Sequence, residues 1–439
     1  MTTDIPARDL LPVTADAGPQ GRLMLGGRDA AGLLEEFGSP LYVFDEDTVR
    51  AMCRAYTGAF QDAYPGTHIS YSAKAFIHPT LARILHEEGV GIDVVSGGEL
   101  AVAKVARFPA SELNFHGNNK SQRELREAVE YGIGLITVDS RHEIDALDQV
   151  AASLGKKQPV MLRVSPSIDG HTHRLTSTGV LDSKFGFSIE TGQAEEAVRE
   201  ALARPNLDVR GIHFHLGSPI FELEPYEEAT HYVLEFAARM RAHGLAMSVF
   251  SPGGGFALGY VEDQQPPPVS AYAGAIAGAV RQGCDAHGLP EPRLIVEPGR
   301  SLVGRAGVAL YTVGAVKEIP GVRTYVSVDG GMGDNIRPAL YDAGYTAVKA
   351  NDISSSHDQK VTVAGKYCES GDILVKDAKL PPVGPGDVIA VAASGAYCVP
   401  MASNYNLNPR PGIVMVRDGE ASLLRRQETY EDMLATSIY

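Results

Sequence analysis

Cysteine is scarce in this chain. Only four cysteines occur among 439 residues, and no two of them have the CxxC spacing of a metal or redox motif. A disulfide framework needs many cysteines, and a zinc site needs cysteine or histidine ligands at short, regular spacings. The sequence therefore predicts free thiols in a reducing compartment, and it predicts no metal site.

Positive charge and long apolar stretches are lacking as well. Lysine and arginine total 39 against 54 aspartate and glutamate residues, a net charge of -15, which disfavours nucleic acid and anionic membranes as partners. The first residues carry no basic segment followed by an apolar one, and no later stretch is apolar over the thickness of a bilayer. We expect a soluble, cytoplasmic protein that binds neither nucleic acid nor membrane.

The middle of the chain has the alternating pattern of an α/β protein. A length of 439 residues favours two domains, one of which can be a large barrel. Between residues 67 and 300, short apolar runs alternate with longer segments of helical period, as in parallel strands joined by crossover helices. Eight runs occur, and they predict a closed (β/α)8 barrel: His68–Tyr71, Gly91–Val95, Leu113–Phe115, Leu135–Val138, Val160–Val164, Gly211–Phe214, Met247–Phe250 and Leu294–Val296.

Two of the crossover segments begin with a recognisable helix start. Ser121 is followed by Glu124, and Ser140 by Glu143. This is the spacing of a capping box, in which the two side chains satisfy each other's backbone N–H groups. Both positions therefore predict helix N-termini.

After Arg300 the chain changes to short β-branched runs interrupted by glycine and proline, such as Val361–Val363, Asp387–Val391 and Ile413–Val416. These runs predict a C-terminal all-β domain. An earlier run, Leu41–Phe44, also predicts a strand, and we expect this strand to join the C-terminal β domain. The expected division is residues 1–44 with the β domain, 45–305 as the barrel and 306–439 as the C-terminal β domain.

A lysine follows the first barrel strand. Barrels of this kind form their active sites at the C-terminal ends of the strands, and Lys74 comes directly after the run His68–Tyr71. In an apolar setting its amine would be a nucleophile suited to a Schiff base. Most lysines are surface residues, so this position gains weight only from its companions.

Two further strand ends predict a phosphate site and an acidic group. Gly253–Gly255 follow the seventh run and Glu297–Arg300 follow the eighth, which are the loops that commonly hold phosphate in such barrels. Glycine lets backbone N–H groups approach the anion closely. A lysine opposite a phosphate site fits pyridoxal 5'-phosphate, and Glu297 would keep its ring nitrogen protonated.

With these residues the chain resembles the fold-type III pyridoxal-phosphate-dependent decarboxylases, and among them the diaminopimelate decarboxylases. The resemblance covers nearly all of the chain after about residue 38. It is carried by the ordered motifs Tyr71–Phe76 (YSAKAF), Asp93–Leu100 (DVVSGGEL), Phe115–Ser121 (FHGNNKS), Ser183–Phe187 (SKFGF), His215–Ser218 (HLGS), Gly253–Gly255, Glu297–Arg300 (EPGR), Asp334–Tyr341 (DNIRPALY), Cys368–Asp372 (CESGD) and Gly395–Tyr397 (GAY).

The resemblance implies a role for each matching residue. Lys74 would bind the cofactor covalently, His215 would stack on its ring, and Cys368 would deliver a proton to the substrate. The phosphate is expected to lie against Ser218, Gly254, Gly255, Gly299, Arg300 and Tyr397. The substrate is expected to contact Arg300, Arg337, Tyr341, Glu369 and Tyr397.

The implied reaction is the decarboxylation of meso-2,6-diaminopimelate to L-lysine and CO2, the last step of lysine biosynthesis. The distal end of this substrate carries a carboxylate and an ammonium group, so a pocket needs both a cation and an anion to select it. Arg300 and Arg337 offer the first and Glu369 the second. The resemblance also implies a homodimer with shared active sites, in which the second subunit supplies Cys368 and Glu369.

Other functions stay open from the sequence. A decarboxylase for ornithine, arginine or a carrier-linked amino acid could use the same scaffold, although paired arginines suit a substrate with a distal carboxylate. A racemase of this fold is expected to place an arginine near the ring nitrogen, where this chain has Glu297. A non-catalytic regulator would not need Lys74. The pair His171 and His173 lacks a third ligand at a suitable spacing, so we expect no metal there.

Overall fold

A computed structural model describes residues 5–170, 172, 173, 176, 178, 179 and 182–438. The chain forms two compact units. The barrel unit contains residues 53–257 and 266–299, apart from the gaps just given, and the β-rich unit contains residues 5–52, 258–265 and 300–438. The first division falls within a long helix, between Met52 and Cys53.

The N-terminal part of the chain precedes the barrel. It contains, in order, β1 (Asp16–Ala17), β2 (Leu23–Leu25), β3 (Arg28–Asp29), α1 (Ala30–Phe37), β4 (Leu41–Asp45) and α2 (Glu46–Ala63). β1, β2 and β3 form a small antiparallel sheet.

The barrel unit then alternates strands and helices. Its elements are β5 (His68–Ser72), α3 (Pro79–Glu87), β6 (Gly91–Val94), α4 (Gly97–Val105), β7 (Leu113–Phe115), α5 (Gln122–Tyr131), β8 (Leu135–Val138), α6 (Arg141–Ser153), β9 (Gln158–Ser165), β10 (Phe187–Ser188), α7 (Gln193–Leu202), β11 (Leu207–His213), α8 (Glu224–Arg241), β12 (Val249–Ser251), α9 (Val269–His287) and β13 (Arg293–Val296).

Eight parallel strands close into the predicted barrel. Their order is β9, β11, β12, β13, β5, β6, β7 and β8, and β8 pairs with β9 to complete the ring. The two-residue strand β10 pairs in parallel with the last two residues of β9, Val164 and Ser165. Each of the eight apolar runs overlaps one of these strands, so the predicted (β/α)8 architecture is confirmed. The strand interiors are buried, as a closed parallel barrel covered by helices requires.

The two expected helix starts are both present, but only one has the complete capping box. The Ser121 hydroxyl accepts a hydrogen bond from the N–H of Glu124, whose carboxylate accepts one in return from the N–H of Ser121. Ser140 likewise accepts from the N–H of Glu143. The Glu143 carboxylate instead accepts from the N–H of Asp139, so the second box is only half formed.

The β-rich unit continues after the barrel. Its elements are α10 (Arg300–Val303), β14 (Gly307–Ile319), β15 (Arg323–Val328), α11 (Arg337–Tyr341), β16 (Ala347–Lys349), β17 (Gln359–Ala364), β18 (Ile373–Leu380), β19 (Val388–Val391), β20 (Gly412–Arg417), β21 (Glu420–Arg425) and α12 (Tyr430–Leu434). The main sheet has the order β18, β17, β15, β14, β4, β20 and β21, and β19 joins β14 to β16.

The early strand belongs to this sheet, as expected. β4 pairs antiparallel with β14 and parallel with β20, which places it between two strands from the far end of the chain. Its five residues are all buried. The segment Leu258–Gln265 also groups with the β-rich unit, although it lies between barrel elements in the sequence. The exact domain boundaries given by sequence stay a prediction.

Within the described residues, every helix is too short or too polar to cross a membrane.

Candidate functional site

Lys74 lies immediately after the first barrel strand. It is the central residue of a short 3-10 turn, Ala73–Ala75, that follows β5. The two flanking alanines are buried while Lys74 itself is exposed. The expected apolar setting of this amine stays a prediction. A ligand can reach the amine at the C-terminal ends of the strands.

Glu297 follows the eighth barrel strand and is buried. Its carboxylate accepts a hydrogen bond from the Ser251 hydroxyl at 2.6 Å, and its other oxygen lies 3.2 Å from Nε2 of His213. Burial alone would raise the pKa of this carboxyl, but the imidazoles of His213 and His116 and the hydrogen bonds hold that pKa well below its usual range. Glu297 is therefore ionised at neutral pH.

His213 ends the sixth barrel strand, β11, and is fully buried. Burial lowers the pKa of its imidazole to about 4, despite the opposing effect of Glu297. The ring is therefore neutral at neutral pH, and its Nε2 donates to the carboxylate because an ionised carboxylate can only accept.

His215 lies two residues further along the chain, in the loop that follows β11. Burial is the main cause of a pKa well below its usual range, and the positive charges of Lys74 and Arg163 add to the effect. Its Nδ1 is buried without a hydrogen-bond partner in the described part of the chain. A neutral imidazole with a free ring nitrogen is thus placed near the amine of Lys74.

The glycines after the seventh barrel strand are required by close backbone packing. A Cβ on Gly254 would collide with the carbonyl oxygen of Glu297, and one on Gly255, whose φ is +102°, would collide with the carbonyl oxygen of Gly217. The N–H groups of Gly254 and Gly255 donate to no group that the structure describes. These two free donors lie where the sequence predicted a phosphate.

The eighth loop packs directly on the turn that carries Lys74. The N–H of Ser72 donates to the carbonyl of Pro298 at 3.0 Å. A Cβ on Gly299 would lie 2.9 Å from Cβ of Ser72 and 3.4 Å from Cβ of Ala75. Only glycine lets these two loops approach so closely, so Gly299 fixes the position of the lysine turn. Ser218 lies in the loop after β11, partly buried.

Neighbouring barrel strands carry a layer of polar side chains that was not predicted from the sequence. Asp93 on β6 accepts hydrogen bonds from Ser70 on β5 at 2.5 Å and from Asn114 on β7 at 3.0 Å. Nε2 of His116 lies 3.6 Å from Asp93 and 3.7 Å from Glu297, without a hydrogen bond to any described group. The sequence did contain a signal for this layer, namely a polar residue inside an apolar run: Asp93 in Gly91–Val95 and Asn114 in Leu113–Phe115.

This layer leaves room for a positively charged atom. Donor atoms of His116, His213 and Glu297 all lie within 4.8 Å of one another. That spacing suits a metal ion and also a protonated ring nitrogen, so the expected lack of a metal stays a prediction. His171 lies outside the described residues, and the adjacent His173 is exposed.

Arg300 and Arg337 lie in the β-rich unit, both buried. Arg300 donates to the hydroxyl of Tyr260 at 2.8 Å, and its guanidinium carbon is 4.8 Å from the centre of the Tyr397 ring. Arg337 donates to the hydroxyl of Tyr345, and its guanidinium carbon is 4.6 Å from the centre of the Tyr260 ring. We call these five residues the arginine–tyrosine cluster; Tyr260 and Tyr345 were not predicted.

Cys368 and Glu369 lie on an exposed loop between β17 and β18. The base of this loop is held by the buried Asp372, whose carboxylate accepts from the N–H groups of Tyr367 at 2.8 Å and Met332 at 2.6 Å. The loop therefore presents both predicted residues on the surface. Tyr341, the last residue of α11, is partly buried in the same unit.

The groups of the barrel unit fit pyridoxal phosphate. An exposed amine can bind the aldehyde, an ionised carboxylate can face the ring nitrogen, a neutral imidazole can lie against the ring, and two free glycine N–H groups can hold the phosphate. The buried nitrogen atoms without partners on His116, His213 and His215 lie among these groups.

Comparison with known proteins gives the same result. A family model described as pyridoxal-dependent decarboxylase, pyridoxal binding domain, matches residues 48–304. The diaminopimelate decarboxylase of Bacillus subtilis is 44% identical over 422 residues, covering 96% of each chain.

Solved structures agree. Diaminopimelate decarboxylase from M. jannaschii in complex with L-lysine matches with a TM-score of 0.91 at 35% identity, covering 97% of this chain and 98% of that one. A lysine/ornithine decarboxylase from Vibrio vulnificus matches with a TM-score of 0.75 at 25% identity, covering 88% and 97%. This chain therefore belongs to the pyridoxal-dependent decarboxylases, and within them to the diaminopimelate decarboxylases, which are pyridoxal-phosphate-dependent carboxy-lyases.

Proposed function

We propose that this enzyme removes CO2 from the D-centre of meso-2,6-diaminopimelate and releases L-lysine, and that the predicted site residues carry out the reaction. One observation carries the choice of decarboxylation. Glu297 is buried and ionised at the catalytic end of the barrel, where a racemase of this scaffold is expected to have an arginine. Its relatives at 40–44% identity are named diaminopimelate decarboxylases.

The barrel residues hold the cofactor in this proposal. Pyridoxal phosphate, when bound, supplies the electron sink that stabilises the charge left on the α-carbon as CO2 departs. The amine of Lys74 would hold its aldehyde, the carboxylate of Glu297 would keep a proton on its ring nitrogen, and the neutral ring of His215 would lie against the ring. The N–H groups of Gly254 and Gly255 would hold its phosphate.

Further contacts complete the phosphate site. Gly299 holds the eighth loop against the lysine turn, as its packing on Ser72 supports. Ser218 offers a hydroxyl, and Tyr397 and Arg300 are assigned to the phosphate by the resemblance. The guanidinium carbon of Arg300 lies 4.8 Å from the centre of the Tyr397 ring, and this contact supports a shared role for the two residues in binding the phosphate.

The substrate is selected by its distal end. Arg300 and Arg337 are assigned to the distal carboxylate and Glu369 to the distal ammonium, while Tyr341 and Tyr397 complete the pocket. Arginine matches a carboxylate with two parallel N–H donors, which gives orientation as well as affinity. Ornithine lacks this carboxylate and would leave the buried Nε of Arg337 without the hydrogen-bond acceptor that the proposal assigns to it.

We propose that Cys368 delivers the proton to the α-carbon and that a second subunit supplies it. The loop that carries Cys368 and Glu369 is held firmly at its base and exposed at its tip, as a residue that serves another subunit must be. A homodimer with shared active sites follows from this proposal.

We also propose that the enzyme works in the cytoplasm. None of the four cysteines, Cys53, Cys284, Cys368 and Cys398, forms a disulfide within the described chain. Free thiols, one of them exposed, fit a reducing compartment.

The test is CO2 release from a panel of substrates. The purified enzyme, loaded with pyridoxal phosphate, is supplied with meso-diaminopimelate, ornithine, arginine or lysine, and Lys74→Ala serves as the inactive control. We expect release from meso-diaminopimelate alone. Release from ornithine or arginine, with none from meso-diaminopimelate, would replace this proposal with a decarboxylase for another amino acid.

A further inference from the structure

Two buried guanidinium groups meet at one tyrosine in the β-rich unit. The Tyr260 hydroxyl accepts a hydrogen bond from Arg300 at 2.8 Å, and the Tyr260 ring lies 4.6 Å from the guanidinium carbon of Arg337. Tyr260 is 5% exposed, Arg300 7% and Arg337 4%. A single side chain thus contacts both cations, one through its hydroxyl and the other through its ring.

Tyr260 is firmly anchored. Its carbonyl accepts a hydrogen bond from the Thr346 hydroxyl at 3.0 Å, and its ring packs edge-on against Tyr345 with centroids 5.1 Å apart. The neighbouring Gly259 makes a tight turn, because a Cβ there would collide with the carbonyl oxygen of Gln264. These contacts hold the backbone at Tyr260 and one side of its ring, so Tyr260 can define where the two arginines lie.

Arg337 has no acidic counter-ion within the described chain. Its Nη1 donates to the Tyr345 hydroxyl, and its Nε is buried without a hydrogen-bond partner among the described residues. Burying a guanidinium without an anion is costly, and the tyrosine rings offset only part of that cost through cation–π attraction. The arginine–tyrosine cluster is therefore suited to receive an anion from a ligand.

We propose that Tyr260 is a positioning residue that sets specificity for a ligand carboxylate. Its hydroxyl orients Arg300 and its ring supports Arg337, so that both guanidinium groups meet one carboxylate. The identification of that group rests on the proposed function: it is the distal carboxylate of diaminopimelate, which L-lysine retains. The chemical class recognised is an α-amino acid end, as opposed to a plain amine.

L-lysine and cadaverine form a matched pair of ligands for the test. Both contain the same 1,5-diaminopentane skeleton, and only lysine carries an additional carboxylate. Calorimetric titration of the holoenzyme with each ligand gives two dissociation constants, and their ratio measures recognition of the carboxylate without any turnover. The ratio is compared among the wild type, Tyr260→Phe and Tyr260→Leu.

The control is Tyr64→Phe in the barrel unit. Tyr64 is also buried, at 4% exposed, and its hydroxyl donates a hydrogen bond to the carbonyl of Pro292 at 2.9 Å. The contact lies beside the first residues of β5 and β13, at the ends of the barrel strands away from Lys74. Losing this hydroxyl should leave the lysine-to-cadaverine ratio unchanged.

Tyr260→Phe loses the hydroxyl and keeps the ring, so lysine should bind roughly tenfold more weakly while cadaverine changes by less than about twofold. Tyr260→Leu loses both contacts, and we expect roughly a hundredfold effect on lysine. In steady-state assays of Tyr260→Phe, KM for meso-diaminopimelate should rise more than kcat falls.

An unchanged ratio in Tyr260→Phe, or equal weakening of lysine and cadaverine, would overturn the proposal. Tyr260→Phe decides the matter if Tyr260→Leu does not fold. The proposed function and the role of Tyr260 can fail separately. If the wild type releases no CO2 from meso-diaminopimelate, the proposed function is refuted, and the ratio of dissociation constants still tests Tyr260. If the wild type is active but Tyr260→Phe leaves that ratio unchanged, only the role of Tyr260 is refuted.

Discussion

Two buried carboxyl groups in this protein have opposite pKa shifts. Glu297 in the barrel unit faces imidazoles and a hydroxyl donor and has a lowered pKa. Asp334 in the β-rich unit accepts hydrogen bonds from the hydroxyls of Tyr311 at 2.7 Å and Tyr42 at 3.3 Å, yet burial dominates and raises its pKa to about 7. The sequence contains both residues in motifs, but only their surroundings in the fold distinguish the ionised Glu297 from Asp334, which is partly protonated at neutral pH.

Asp334 should make folding stability depend on pH. Its pKa is about 7 in the folded chain against a reference value of 3.8, so the folded protein holds a proton that the unfolded chain has released. Stability from this group is complete below about pH 4 and is lost as the pH rises to about 7. We expect Asp334→Asn to remove roughly 1–3 kcal/mol of this pH dependence in urea unfolding between pH 5 and pH 8.

The matched control is Asp62→Asn, which alters an exposed aspartate on α2. Its profile of unfolding free energy against pH should run parallel to that of the wild type. If the profile of Asp334→Asn is also parallel to that of the wild type, the carboxyl of Asp334 is already ionised at pH 5 and its pKa is not raised to about 7.

At the scale of elements, a buried ion pair ties two barrel strands to a helix. The amine of Lys120, in the loop after β7, donates to the carboxylate of Glu143 on α6 at 2.7 Å and to the carbonyls of Gly117 and Thr137 at 2.8 Å. The side chains are 1% and 5% exposed. The sequence assigned Glu143 only to a capping box, because nothing local indicates a partner 23 residues away.

Lys120→Met should destabilise the barrel unit strongly. It leaves the carboxyl of Glu143 buried without a cation, which costs on the order of 3–5 kcal/mol of unfolding free energy. Burial already raises the pKa of Glu143, so protonation should relieve part of the loss in acid. Urea unfolding at pH 8 and pH 5 measures both effects.

An exposed ion pair provides the control. Arg123 and Glu127 on α5 lie 2.7 Å apart, with the arginine side chain 86% exposed. Arg123→Met should change stability by less than about 0.5 kcal/mol. If Lys120→Met lowers the unfolding free energy by no more than Arg123→Met does, the buried ion pair contributes no more to stability than the exposed one.

The sequence predicted the elements well and the packing between them poorly. All eight barrel strands and β4 were expected, because apolar runs with polar strand ends depend on local periodicity. His213 was missed, since a single histidine in an apolar run has no local mark of function, and His116 was noted only as part of the motif Phe115–Ser121, without a role. Tyr260 was missed because its loop lies within the barrel sequence but folds with the β-rich unit.

At the scale of the whole molecule, the proposed active site needs two chains. Lys74 lies in the barrel unit, whereas Cys368 is on an exposed loop of the β-rich unit and is assigned to the partner subunit. Lys74→Ala and Cys368→Ser should each lack activity. Subunits mixed from the two variants should recover about one quarter of wild-type activity, because half of randomly formed dimers contain one intact site out of two.

A second mixture controls for non-specific recovery. Lys74→Ala mixed with Glu297→Gln should remain inactive, because both residues belong to the same barrel and no dimer then contains an intact site. Failure of the Lys74→Ala and Cys368→Ser mixture to recover activity, with subunit exchange verified by mass, would show that each site is formed by one chain.

The central claim is that Lys74 binds the cofactor covalently. Borohydride reduction of the loaded enzyme, followed by digestion and peptide mass spectrometry, tests it most directly. We predict that the pyridoxyl group is found on the peptide containing Lys74, with no label in Lys74→Ala. An unlabelled Lys74 peptide, or a label on another lysine, would contradict the account.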